Sequence, residues 1–165
     1  MKVAVFSDTH DNFQLIEKAI EKAKKEKAEV LIHCGDVCSP AALFHISDLW
    51  EGDIHYSFGN VDGDKFTMLQ KGKEDPSIHF YSEDLGSLEL GGKRIAFQHY
   101  PEISLRLAES GAYDVVFYGH DHKRYQEYIG ETLLANPGNL CGIKHPPSFG
   151  IYNTETNKIK HIDMG

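Results

Sequence analysis

At 165 residues with a formal net charge of −8, the chain fits a single domain spanning residues 1–165 and disfavours a groove that tracks a nucleic-acid backbone. The three Cys, without CxxC spacing, argue against a disulfide framework and favour a reducing, cytoplasmic setting. No stretch approaches the ~20 apolar residues of a membrane span, and the first residues read as a strand rather than a signal peptide, so no membrane partner is expected.

Val3 to Phe6 form an apolar run that reads as a buried strand and ends in Ser7-Asp8-Thr9-His10-Asp11-Asn12. In extended backbone, residues i and i+2 project to one side, so Asp8 and His10 are expected to grip one metal ion. Phe13, Ile16, Ala19, Ile20 and Ala23 then recur at helical spacing, with Asp11 or Asn12 as the N-cap. The positive end of that helix would welcome a phosphate.

Val30 to Ile32 make a second buried strand, ending in His33-Cys34-Gly35-Asp36. Gly35 permits a sharp turn that aims Asp36 across the carboxyl edge of the sheet. A helix is predicted from Pro40 to Trp50, and a third strand from Ile54 to Phe58 runs into Gly59-Asn60-Val61-Asp62. Between Asp64 and Asp84 the pattern supports only a short helix around Phe66, Met68 and Leu69, followed by a solvated loop over 71–76.

A hairpin follows across Gly91-Gly92, its second strand ending at Gln98-His99-Tyr100-Pro101. A helix should start at Pro101 and stop before Gly111, and a strand from Tyr113 to Tyr118 leads into Gly119-His120-Asp121-His122. A second hairpin (Tyr125 to Ile129, Thr132 to Ala135), the Asn136-Pro137-Gly138-Asn139 turn and strands near Phe149–Tyr152 and Ile159–Ile162 complete the chain.

Asp8, His10, Asp36, Asn60, His99, His120 and His122 are thus oxygen and nitrogen donors, each at or just after a strand end. They exceed the needs of one tetrahedral zinc and suit two ions sharing a carboxylate. Without thiolate, the set is compatible with Mn, Fe, Zn, Ni or Co. Any one such residue alone is more often a turn former; their shared location favours a site. His33, His45, His55, His79, His145 and His161 read as surface or packed imidazoles, and Cys34 and Cys38 as small apolar fillers. Asp62 reads equally as an acceptor orienting a ligand or as a turn residue, and Asn136 and Asn139 as structural.

In order and spacing, Asp8-x-His10, Gly35-Asp36, Gly59-Asn60, His99 and Gly119-His120-x-His122 resemble the calcineurin-like metallophosphoesterases. The size and the Asn136-Pro137-Gly138 turn resemble the compact archaeal and bacterial phosphodiesterase branch. The resemblance implies an α/β fold, a four-layer αββα sandwich with two facing mixed sheets flanked by helices. It implies that Asp8, His10, Asp36 and His122 hold one ion and Asp36, Asn60, His99 and His120 the other, with Asp36 bridging. Asp36, Asn60 and His99 become the catalytic set, with Asn12 and Asn60 as substrate contacts. The implied reaction is hydrolysis of a small phosphodiester, or an activated phosphomonoester, by in-line attack of a metal-bound hydroxide. A homo-oligomer is left open.

Three positions depart from that family's pattern. Val61 stands where many members have a His that protonates the leaving oxygen, which predicts a preference for acidic leaving groups such as aryl esters. Tyr100 and Pro101 stand where relatives often read Gly-His, and Asp121 where Thr is usual; by alternation the Asp121 carboxylate should point away from the metals. A second function class, a protein-interaction scaffold like the retromer subunit that resembles this family, is disfavoured by the complete donor set.

Overall fold

A computed structural model describes residues 1–81 and 85–165 of the chain. The first sheet has the order β11-β10-β1-β2-β3-β4. Its parallel strands are β1 (Lys2–Phe6), β2 (Val30–His33), β3 (Ile54–Tyr56) and β4 (Ile78–Phe80), extended by antiparallel β10 (Ser148–Asn153) and β11 (Lys158–Asp163). The second sheet has the order β5-β6-β7-β9-β8, formed by β5 (Gly86–Leu90), β6 (Lys93–Phe97), β7 (Val115–Phe117), β8 (Tyr125–Ile129) and β9 (Thr132–Asn136). Here β6, β7 and β9 run parallel, while β5 and β8 pair antiparallel at the edges.

Period-two alternation sorts the apolar residues into layers. Ala4, Phe6, Leu31, Ile54 and Tyr56 turn outward against α1 (Phe13–Lys25), α2 (Pro40–Leu49) and α3 (Lys65–Glu74). Val3, Val5, Val30 and Ile32 turn inward against Ile95, Phe97, Val115, Phe117, Leu133 and Ala135 of the second sheet. The far face of that sheet carries α4 (Pro101–Glu109) through Ala108, Val116 and Leu134. The result is the expected helix–sheet–sheet–helix sandwich.

Local chemistry accounts for most boundaries. The Asn12 side chain caps α1 by accepting from Leu15 N at 3.2 Å, and Ser39 caps α2 ahead of Pro40. Leu90 pairs with Lys93 across Gly91-Gly92, both at positive φ, a two-residue hairpin whose twist suits the flanking strands.

The stretch after Asp64 differs from expectation. The short helix is a ten-residue one that continues through Lys71-Gly72-Lys73-Glu74, and the edge strand β4 follows. Asp64 caps α3 at Thr67 N, and Lys71 lies 3.8 Å from Asp75 one turn on, so a segment read as solvated loop has helical support of its own. Strand β4 escaped notice because three residues with His79 in the middle carry no clear period. The weak reading up to Asp84 includes residues 82–84, which lie outside the described residues. Trp50 caps α2 rather than belonging to it, and strands β3 and β7 are shorter at their ends than the apolar runs suggested.

Candidate metal centre

Every candidate donor lies beyond the carboxyl end of a parallel strand: Asp8 and His10 after β1, Asp36 after β2, Asn60 after β3, His99 after β6, His120 and His122 after β7. The two sheets face each other, so these ends converge at one rim of the sandwich.

The backbone reaches this arrangement by turns rather than by extended alternation. Asp8, His10, Asp36, His120 and His122 all have left-handed backbones, with φ of 51°, 40°, 61°, 73° and 62°. The same-side pairing of Asp8 with His10 was expected from a continuing strand; instead it follows from a turn whose strain the surrounding hydrogen bonds hold. Those bonds run from Asp8 N to Gly35 O (3.0 Å) and from His10 N to Asp36 O (3.1 Å). At Gly59 and Gly119 a Cβ would strike the Asp36 carboxylate and the Ser7 hydroxyl respectively, so only glycine lets these loops close over the carboxylates.

The donor atoms form two groups. In the first, His122 Nε2 lies 3.3 Å from His10 Nε2 and 3.4 Å from Asp8 Oδ1. In the second, Asn60 Oδ1 lies 3.0 Å from both His99 Nε2 and His120 Nδ1, which are 3.2 Å apart. Asp36 Oδ2 stands between the groups, 3.7 Å from His10 Nε2 and 3.3 Å from His99 Nε2. Ligands sharing one ion at ~2.1 Å stand about 3.0–3.4 Å apart, so these spacings, all but the 3.7 Å between Asp36 and His10, with imidazole nitrogens facing each other, fit divalent cations of the nitrogen- and oxygen-binding kind.

Burial and charge tune the groups. Burial works against the Asp36 carboxylate, but His99 and the Val61 N–H, which donates at 3.0 Å, hold it below the ordinary carboxylate value. Hydrogen bonding to Asp8 raises His10 despite burial. Burial also opposes charge on His99, yet Asp36 leaves it raised. His33, fully buried, is pushed down to about 4 and is neutral. Its Nδ1 accepts from Gly35 N (3.2 Å) and its Nε2 faces Thr9 Oγ1 (3.2 Å), so it braces the Asp36 turn.

Several supports were not legible in sequence. Asp62, read evenly between two roles, is buried and accepts from Asp36 N (3.2 Å), Cys38 N (2.9 Å), Gly59 N (2.7 Å) and the Tyr56 hydroxyl (2.7 Å). It fixes the loops after β2 and β3 together. Cys38 is not an apolar filler: its Sγ lies 3.2 Å from His10 Nδ1. Cys141 Sγ likewise lies 3.4 Å from His122 Nδ1 and 3.2 Å from Asn139 Oδ1. His99 Nδ1 instead meets the carbonyl of buried Cys34 at 2.8 Å. The Asn12 amide accepts from Leu15 N and donates to Cys141 O (3.1 Å), so it caps α1 and tethers it to the segment after β9. Asp11 is also occupied, by Ser39 N (3.0 Å) and Ser39 Oγ (2.7 Å).

Asn136 and Asn139 carry the structural roles expected. Asn136 Nδ2 donates to Gly119 O (3.0 Å) and to Asp121 Oδ1 (2.7 Å), while Asn139 Nδ2 donates to His122 O (3.0 Å). The Asp121 carboxylate thereby accepts from Asn136 Nδ2 and from Lys123 N. Tyr100 packs against the His99 and His120 rings, with centroids 5.2 and 5.3 Å away, and Val61 is 45% exposed beside Asn60.

The sequence profile of the calcineurin-like phosphoesterase superfamily domain matches residues 1–157. The chain belongs to that superfamily. It is 34% identical to Phosphodiesterase MJ0936 of Methanocaldococcus jannaschii over 165 residues, 98% of each chain. A solved archaeal phosphodiesterase superposes with a TM-score of 0.87 at 33% identity, covering 99% of this chain and 100% of that one. At the level of fold alone, it is similar to the E. coli phosphoesterase YfcE (TM-score 0.69, 20% identity, 100% of both chains). A zinc-complexed Vps29 from Entamoeba histolytica is also similar in fold (TM-score 0.70, 15% identity, 99% of both chains). Membership of this superfamily implies divalent metal ions. Among the described residues, no helix is long and apolar enough to cross a membrane.

Proposed function

We propose that the chain is a single-domain, cytoplasmic phosphodiesterase that binds two divalent transition-metal ions, with Mn or Ni the first to test, and hydrolyses small phosphodiesters. The observation that supports it most is the position of Asp36, whose Oδ2 faces His10 on one side and His99 on the other. Asp8, His10, Asp36 and His122 would hold one ion, and Asp36, Asn60, His99 and His120 the second. When bound, such ions supply an activated water and neutralise charge on the phosphoryl oxygens.

The chain's own residues set the rest. His99 and Asn60 hold the second group in register, and Val61 N clamps the other oxygen of Asp36. Tyr100 walls the second group, and the half-exposed Val61 offers no proton at the mouth. Leaving groups that need protonation therefore react slowly, and general acid catalysis is worth about 10²–10⁴-fold where present.

Hydrolysis of bis(p-nitrophenyl) phosphate with Mn²⁺ or Ni²⁺, before and after chelation, tests the reading. Metal-dependent turnover is expected, falling steeply from aryl to alkyl diesters. Val61→His should raise alkyl turnover by about 10²-fold. Absence of metal-dependent turnover on aryl diesters and cyclic nucleotides would instead favour an interaction scaffold.

A further inference from the structure

Strand alternation gathers a second set of donors away from the strand ends, on the β3–β4 rim of the first sheet. Asp53 and His55 are two residues apart entering β3, and His79 of β4 is the direct register partner of His55. Residues two apart on a strand, and directly paired across strands, share one face. One donor atom from each of Asp53, His55 and His79 can be chosen so that all lie within 4.8 Å of one another. The two imidazole rings stack with centroids 4.7 Å apart at 18°, and His79 Nε2 lies 3.1 Å from Asp53 Oδ1.

We propose that Asp53, His55 and His79 form a separate divalent-cation site, selective for Zn²⁺, Ni²⁺ or Co²⁺, that ties edge strand β4 to β3.

Two imidazoles and one carboxylate are the donors these borderline ions prefer, whereas Mg²⁺ and Ca²⁺ favour oxygen alone. The Tyr81 hydroxyl lies 2.8 Å from His55 Nδ1, which fixes the ring and leaves Nε2 for an ion. His79 and Asp53 side chains are 41% and 56% exposed, which opens a path for the ion from solvent. The mechanical consequence falls on β4, a three-residue strand that, among the described residues, is paired on one side only.

The test counts ions. Full-length wild-type protein and the Asp53→Ala and His79→Ala variants are equilibrated with Zn²⁺, dialysed and assayed for bound metal. Each variant should hold one ion fewer than wild type, with metal-dependent turnover unchanged. Because the readout is a difference, it stands whether or not the strand-end centre binds its own two ions. In parallel, Zn²⁺ at ~100-fold excess over Kd should raise the wild-type Tm by about 5 °C more than that of either variant. Asp53→Asn serves as a second, near-isosteric probe should an alanine variant fold poorly. Equal stoichiometry and equal Zn²⁺-induced Tm shifts in wild type and variants would overturn the proposal.

Discussion

The two halves of the strand-end cluster use the same kind of donors but are supported differently. Behind His10 and His122 stand the thiols of Cys38 and Cys141, at 3.2 and 3.4 Å from the Nδ1 atoms. Behind His99 stands a backbone carbonyl at 2.8 Å, and His120 turns its own Nδ1 inward toward Asn60. A thiol is a weak acceptor beside a carbonyl, so the first pair of imidazoles is oriented less firmly and made less basic than His99. Identical ligand types can therefore differ in grip because of what lies one layer further out.

The largest effect should come from the group common to both halves. Asp36→Asn is expected to cut metal-dependent turnover by about 10³-fold and to weaken both ions together, since metal charge stabilisation is worth several kcal/mol. Isothermal titration with Mn²⁺ beside the kinetics checks this; loss of one ion alone would mean the halves are independent. Next, Asp62→Ala strands four donors at 2.7 to 3.2 Å from its carboxylate. It should lower stability by about 3 kcal/mol, a Tm fall of roughly 6–12 °C by calorimetry, because buried unsatisfied donors cost ~1–3 kcal/mol each. A fall under 1 °C would show that the loops after β2 and β3 hold themselves. The smallest and most discriminating change is at the thiols. Cys38→Ala and Cys141→Ala should weaken one of the two ions about 10-fold and leave the other, with Ser restoring binding as an alternative acceptor. Equal weakening of both ions would erase the difference between the halves.

Much of this site could be anticipated because its donors follow strands whose apolar runs are unmistakable, and each run ends where a polar cluster begins. Asp8 and His10 do approach each other, at 3.8 Å, but not by strand alternation, since both residues have left-handed backbones held by the hydrogen bonds that join the loops after β1 and β2. Cys38, Asp62 and Cys141 carried no comparable signal: a thiol or a turn carboxylate has the same local pattern whether it braces a ligand or fills space. Likewise β4 and the second half of α3 lack a period, and their support comes from Lys71, Asp75 and the packing of Met68 and Ile78 in the core.

Periodicity and strand-end chemistry, both local along the chain, determined most of the strands and helices and the identity of the seven candidate ligands, while the layer order came from the family resemblance that those motifs carry. The tertiary structure decided which atoms back those ligands, how Asp36 stands between the two groups, and how Asp53 and His55 meet His79. Those contacts join residues from 19 to 112 positions apart, such as His122 with Cys141 and His10 with His122, and only strand pairing and the packing of the two sheets bring them within reach.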